Sequence, residues 1–137
     1  MNRRCLREQV FKLLFRVEFN QAEELEEQCR LFFQYEEIPM SPQDEDFISR
    51  RFEAVREKLE EIDGLINQKT KGWTTNRMGK VDLTIIRLAV YEMIYDEAIP
   101  EGVAINEAVE LAKKFGQEES AGFINGVLAR FTEAKQD

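Results

Sequence analysis

The sequence predicts an all-α protein, because apolar residues recur at intervals of three and four along most of its 137 residues. No alternation of strand and helix patterns, internal repeat or low-complexity tract accompanies this periodicity. A chain of this length forms one domain, or two small bundles that share an interface, with enough residues for a substantial core.

Three helices are predicted in the N-terminal half. The first is capped by Asn2 and runs to about Phe19, and the second runs from about Ala22 to Tyr35. Ser41-Pro42-Gln43-Asp44 is typical of a cap with proline at the first helical position, and the third helix then continues through Phe47–Ile66. The predicted core face of the first helix consists of Leu6, Val10, Leu13, Leu14 and Val17.

A seam between two halves is predicted at Gln68–Lys80, where the apolar pattern loosens around one short helix near Thr75–Met78. We therefore expect residues 1–137 to form a single domain with an N-terminal helical subdomain at about 1–70 and a C-terminal one at about 74–137. About six or seven helices fit this scheme.

The segment Val81–Ile99 is rich in β-branched residues, which favours a strand, but its length without a turn favours a helix. Its apolar residues would surround such a helix, which indicates a buried central element. Arg87 and Glu92 would then reach the surface or serve as hydrogen-bonding anchors.

Two further helices, joined by a tight turn, are predicted over Val103–Phe131. Gly116 is expected to end the first of them in a left-handed conformation. Gly122, Gly126 and Ala129 form a stripe of small residues on the second, although each interior glycine costs about 1 kcal/mol relative to alanine. We favour close approach of another helix as the explanation, and a surface cleared for a ligand or partner is the alternative.

The composition argues against several functional classes. Histidine is absent, and Cys5 and Cys29 have no metal-ligand spacing, so we expect no metal site, no cofactor and no imidazole chemistry. No nucleotide-binding or nucleophile motif is present, which predicts a protein without catalytic residues. The chain also has neither a signal-peptide pattern nor a membrane-spanning run, so the cytoplasm is the expected location.

Charge is unevenly distributed along this acidic chain, whose net charge is −8. Residues 1–16 contain five basic residues against one acidic, whereas residues 18–37 contain seven acidic against one basic. Local fields steer charged partners, so the basic N-terminus could attract an anion despite the net charge.

Aromatic and basic residues lie together on the first helix. Arg4, Phe11, Phe15 and Phe19 fall beside its core face, and Arg7 borders them. Arginine pairs with phosphates and flat rings stack on unpaired bases, so this side suits single-stranded RNA. For Phe11 and Phe19 we favour the core, because phenylalanine is more often a core residue.

The sequence resembles the NusB family of bacterial transcription antitermination factors. VAINEAVELAKKFG followed by FINGVL matches the family's C-terminal signature, VDLTIIRLAVYE its preceding helix, and RRCLREQVFKLLF its arginine-rich opening. The resemblance implies two packed helical subdomains and a non-enzymatic function. With NusE, a small-subunit ribosomal protein, family members bind the boxA element of nascent ribosomal RNA leader transcripts in a complex on RNA polymerase. The family includes both monomers and homodimers.

The resemblance also implies which residues make contacts. The RNA-binding set is Arg3, Arg4, Arg7, Phe15, Lys80, Phe115 and Phe123. The partner-binding set is Phe15, Asp82 and Glu119. For Lys80 and Asp82 the alternative is simple helix-start charges, and for Phe123 it is the edge of the core. Phe15 lies where the family usually carries an aromatic residue at the partner and RNA surface, and for it the core is an equally good interpretation.

Two other functions remain open. Bundles of this type also form the N-terminal RNA-binding part of some RNA cytosine methyltransferases, although we expect no Rossmann-like catalytic part after Asp137 here. The chain could also be a helical protein–protein interaction module, in which the N-terminal arginines pair with the acidic second helix.

Overall fold

A computed structural model describes residues 1–136, with side chains described for residues 1–132. Within this part of the chain there are seven α-helices and no strand, which confirms the all-α class. The α-helices are α1 (Arg3–Phe15), α2 (Leu25–Gln34), α3 (Pro42–Glu57), α4 (Leu59–Lys69), α5 (Lys80–Tyr95), α6 (Glu101–Phe115) and α7 (Ser120–Gln136). Short 3₁₀ turns cover Arg16–Phe19, Ala22–Glu24 and Thr75–Arg77. None of the described helices has both the length and the apolar character needed to cross a bilayer.

The helices form two compact units, one of residues 1–56 and one beginning at Glu57. This division lies earlier in the chain than the seam expected at Gln68–Lys80, because α4 packs against α5 and α7. The predicted third helix is correspondingly two helices, α3 and α4. They are separated at Lys58, whose φ of −105° and ψ of 4° leave the helical region.

In the first unit, the helix starts follow the predicted caps. The Asn2 side chain accepts a hydrogen bond from the Cys5 amide at 2.8 Å. The Asp44 amide donates to the Ser41 hydroxyl, and the Ser41 amide donates back to the Asp44 carboxylate, each at 3.1 Å. The Ser41 amide, together with the terminal ammonium of Met1, holds the pKa of Asp44 below its usual range.

The core of the first unit corresponds to most of the predicted faces. Phe47, which its helical spacing groups with the core residues of the third helix, is 40% exposed instead, and the Arg51 guanidinium lies 5.4 Å from its ring centroid. Leu6 and Val17, on the predicted core face of the first helix, are only half-buried. The register of α3 directs Ile48, one residue further along, inward and turns Phe47 to solvent. The buried apolar residues are Val10, Phe11, Leu13, Leu14, Leu25, Phe32, Ile48, Phe52 and Val55.

In the second unit, α5 is the central helix and packs against α4, α6 and α7. This confirms the interpretation of the β-branched segment as a buried helix. Arg87 reaches α4, where it donates two hydrogen bonds to the Asp63 carboxylate at 2.8 and 2.7 Å. Tyr95 donates to Glu61, and burial together with this hydrogen bond raises its pKa to about 12. Glu92 is buried, as the anchor interpretation requires.

The turn between α6 and α7 differs from the prediction. Gly116 has a φ of −92° and a ψ of −168°, so it is extended rather than left-handed. Glycine is needed there for a different reason: an added Cβ would lie only 2.6 Å from the Cβ of Ser120. Ser120 is buried, and its hydroxyl accepts a hydrogen bond from the Gln117 amide at 2.9 Å.

The glycine stripe of α7 does not mark a close helix contact, so that explanation is wrong for the described residues. Gly122 and Gly126 are exposed, and a Cβ added to either would meet no heavy atom within 4 Å. The stripe faces solvent because the opposite side of α7 takes the core positions. These are Ile124, Val127, Leu128 and Phe131.

Candidate nucleic-acid interface

The basic end of the chain lies on the first turns of α1. Arg3 and Arg4 are exposed and Arg7 is half-buried. Their spacing of three and four residues places the three guanidinium groups along one side of the helix. The terminal ammonium of Met1 contacts the Asp44 carboxylate at 3.3 Å, which fixes the start of this basic segment against the first turn of α3.

Three phenylalanines form a continuous row along α1 and the 3₁₀ turn that follows it. The ring centroids of Phe11 and Phe15 are 6.2 Å apart, and those of Phe15 and Phe19 are 5.0 Å apart. Phe11 is buried at 4% exposure, Phe15 is half-buried, and Phe19 is 59% exposed. The row therefore runs from the core to solvent.

The core assignment is right for Phe11 and wrong for Phe19. The chain changes from α-helix to the tighter 3₁₀ turn after Phe15, so the four-residue spacing no longer keeps Phe19 on the inward side. Arg16, in the same turn, donates to the backbone and side-chain oxygens of Gln28, each at 3.1 Å, and lies 5.3 Å from the Phe32 ring centroid. These contacts hold the exposed end of the phenylalanine row against α2.

The remaining predicted contact residues lie in the second unit. Lys80 is exposed and Asp82 half-buried in the first turn of α5, where the carboxylate complements the helix dipole and the lysine adds positive charge. Phe115 is half-buried at the end of α6, with the Lys114 ammonium 5.5 Å from its ring centroid. Glu119 is exposed just before α7, and Phe123 is half-buried one turn into that helix.

Trp73 is an exposed aromatic residue that the sequence did not single out as a candidate for the site. Its ring centroid is 5.3 Å from that of Phe123, with an interplanar angle of 63°, and it remains 54% exposed. It lies in residues 68–80, a segment with four basic residues and no acidic one. The chain's single tryptophan in the middle of this basic, irregular segment was the signal that could have identified it.

A groove of about 500 Å³ in the first unit is lined mainly by acidic residues, in contrast to the basic start of α1. Its charged lining comprises Glu26, Glu45, Asp46 and Glu53 together with Arg30. An excess of carboxylates repels phosphate, so this groove is unsuitable for RNA. Cys29 also lines it, and burial raises the pKa of its thiol, which lowers the nucleophilic thiolate fraction.

The chain is similar to known proteins over nearly its whole length. The model of the NusB family matches residues 4–133. Transcription antitermination protein NusB from Agathobacter rectalis is 53% identical over 133 residues, which cover 96% of this chain and 99% of that protein. T. maritima NusB superposes with a TM-score of 0.85 at 35% identity, covering 97% of this chain and 92% of that one. A crystal structure of antitermination factors NusB and NusE in complex with dsRNA shares the fold, with a TM-score of 0.77 at 24% identity and 96% of each chain covered. With a family match along nearly its whole length and the same helical fold, the chain belongs to the NusB family.

Proposed function

We propose that this chain is an RNA-binding transcription antitermination factor that acts in the cytoplasm. Together with NusE it binds the boxA element of nascent ribosomal RNA leader transcripts, and within the antitermination complex it helps RNA polymerase resist termination. Its function is binding rather than catalysis. The observation that carries the proposal is the 53% identity to a transcription antitermination protein over 99% of that protein's length.

The geometry of the first unit supports an RNA-contacting role for α1. Exposed Arg3 and Arg4 can pair with phosphates, while Phe15 and the exposed Phe19 offer ring surface for unpaired bases. The aromatic row is anchored in the core through Phe11, so its exposed end is held in place before RNA arrives. Less ordering on binding leaves more of the contact energy as affinity.

The salt dependence of RNA binding tests this role. For single strands, the logarithm of the binding constant falls with the logarithm of salt concentration by about 0.7 per phosphate contact, so three arginine contacts give a slope of roughly −2. We expect the Arg4→Ala/Arg7→Ala double variant to bind a boxA-type single strand more weakly, with a slope shallower by roughly 1.4. Fluorescence anisotropy of labelled RNA over a salt series measures both quantities.

The matched control is Arg30→Ala/Arg50→Ala, which removes the same charge from arginines held by Glu27 and Asp46. Its slope should equal that of the wild type. Binding that does not respond to salt, or full affinity in the Arg4→Ala/Arg7→Ala variant, contradicts the assignment of α1 as the RNA-contacting helix.

A further inference from the structure

We infer that Trp73 is a base-stacking residue of the RNA interface, and that together with Phe123 it holds one unpaired base. The inference rests on the proposed function and adds to it a contact residue outside α1. Both rings lie within the second unit, in direct contact with each other.

The exposure of Trp73 fits stacking better than packing. At an interplanar angle of 63°, the two rings meet edge to face, so at least one ring touches the other through its edge only. More than half of Trp73 is exposed, whereas Phe123 is half-buried and anchored on α7. The indole therefore presents accessible π surface on a fixed support. Stacking on such a surface tolerates any base, since every base has a π face.

The backbone that carries Trp73 is held on both sides. Its amide donates to the Thr70 carbonyl at 2.8 Å, and the Thr70 hydroxyl donates to the Trp73 carbonyl at 2.6 Å. Thr70 is itself buried at 7% exposure. Gly72 takes a left-handed conformation with a φ of +85°, and Arg77 donates to its carbonyl at 3.1 Å. A ring placed this way loses little conformational freedom on binding.

The positive charge of residues 68–80 favours an anionic partner. Lys69, Lys71, Arg77 and Lys80 provide four positive charges without an acidic residue among residues 68–80. Phosphates are attracted to such a segment in a protein that is acidic as a whole. A basic segment that carries an exposed aromatic ring, here supported by Phe123 from α7, is the combination that single-stranded nucleic acid uses. It matches an extended RNA strand better than an apolar peptide.

The test uses Trp73 as its own probe, because it is the only tryptophan in the chain. Titrating the full protein with a boxA-type single strand should quench tryptophan fluorescence with the midpoint found by anisotropy of labelled RNA. Trp73→Ala should weaken RNA binding by roughly 5- to 150-fold, the equivalent of about 1–3 kcal/mol. Trp73→Phe, which keeps a stacking ring, should recover most of the affinity.

Tyr35→Ala is the matched control, since Tyr35 is 70% exposed but is followed by Glu36 and Glu37. Its RNA affinity should not change, and thermal melts should show that each variant is folded. Wild-type binding without a fluorescence change, combined with full affinity in folded Trp73→Ala, overturns the stacking role and leaves the proposed function intact. Absence of RNA binding by the wild type would instead overturn the proposed function.

Discussion

At the scale of single residues, Gly116 and Gly126 differ in whether their surroundings leave room for a side chain. Gly116 lies where a Cβ would collide with Ser120, so the turn between α6 and α7 depends on the missing side chain. Gly126 lies in the middle of α7, where glycine is less favourable than alanine. A Cβ added there would meet open space, so close packing does not explain why glycine occupies this position. The alternative, a surface cleared for a ligand or partner, stays a prediction.

Alanine substitutions separate these two cases. Gly126→Ala should raise the free energy of unfolding by about 1 kcal/mol, because alanine is the better helix former and its Cβ meets open space. Gly116→Ala should lower it, since either Ser120 or the turn must move. Urea denaturation measures both. Gly64→Ala, in an equally open position on α4, is the control and should match Gly126→Ala. A destabilised Gly126→Ala variant would show that a neighbouring group occupies that space.

At the scale of elements, local sequence predicts most of the fold. Helical periodicity and capping residues correctly located the start of α1 and the start of α3, and the length of Val81–Ile99 correctly outweighed its β-branched residues. The errors at Phe19 and Lys58 occur where helix geometry changes without a proline or glycine to announce it. The position of α4 in the second unit depends on contacts with α5 and α7, which periodicity does not encode.

Part of the candidate site can likewise be predicted from local sequence, and part depends on contacts between residues that are far apart in the chain. Arg3, Arg4 and Arg7 stand out in the sequence because the whole group lies within one segment. The pairing of Trp73 with Phe123 joins residues far apart in the chain, so only the fold reveals it. The individual contact residues taken from the family resemblance stay predictions, which the variants of α1 and Trp73 test.

The Arg87–Asp63 pair joins α5 to α4, and its side chains are only 12% and 25% exposed. Asp63→Ala removes the acceptor of two charge-assisted hydrogen bonds, so we expect the free energy of unfolding to fall by roughly 2–3 kcal/mol. The double variant Asp63→Leu/Arg87→Met should recover part of this loss, because apolar replacements need no charge partner. Denaturant melts of the single variants Asp63→Leu and Arg87→Met and of this double variant complete a double-mutant cycle and give the coupling energy.

The exposed Arg50–Asp46 pair provides the control for this cycle, with side chains 81% and 59% exposed. Solvent screens such a pair, so Asp46→Ala should change stability by less than about 1 kcal/mol. Equal effects of Asp63→Ala and Asp46→Ala would mean that the Arg87–Asp63 pair contributes no more than a surface ion pair.

At the scale of the whole molecule, charge is divided along the chain. A net charge of −8 suggests a poor RNA binder, yet residues 1–16 and residues 68–80 are each basic. Acidic residues concentrate between these segments, in residues 18–37 and around the groove of the first unit. Separate basic and acidic segments suit a protein that contacts an anionic polymer and a second protein together.

Two simultaneous partners make a quantitative prediction. If RNA and NusE bind the same molecule cooperatively, saturating NusE should tighten the binding of a boxA-type strand, and saturating RNA should tighten NusE binding by the same factor. Typical couplings of 1–3 kcal/mol correspond to roughly 5- to 150-fold. RNA anisotropy with and without NusE measures one side of the cycle, and calorimetric titration of NusE with and without RNA measures the other. Arg4→Ala/Arg7→Ala serves as the control, because it should weaken RNA binding while leaving the affinity for NusE alone unchanged. RNA affinity that stays constant at saturating NusE would show that the two partners bind independently, and the cooperative model would then be wrong.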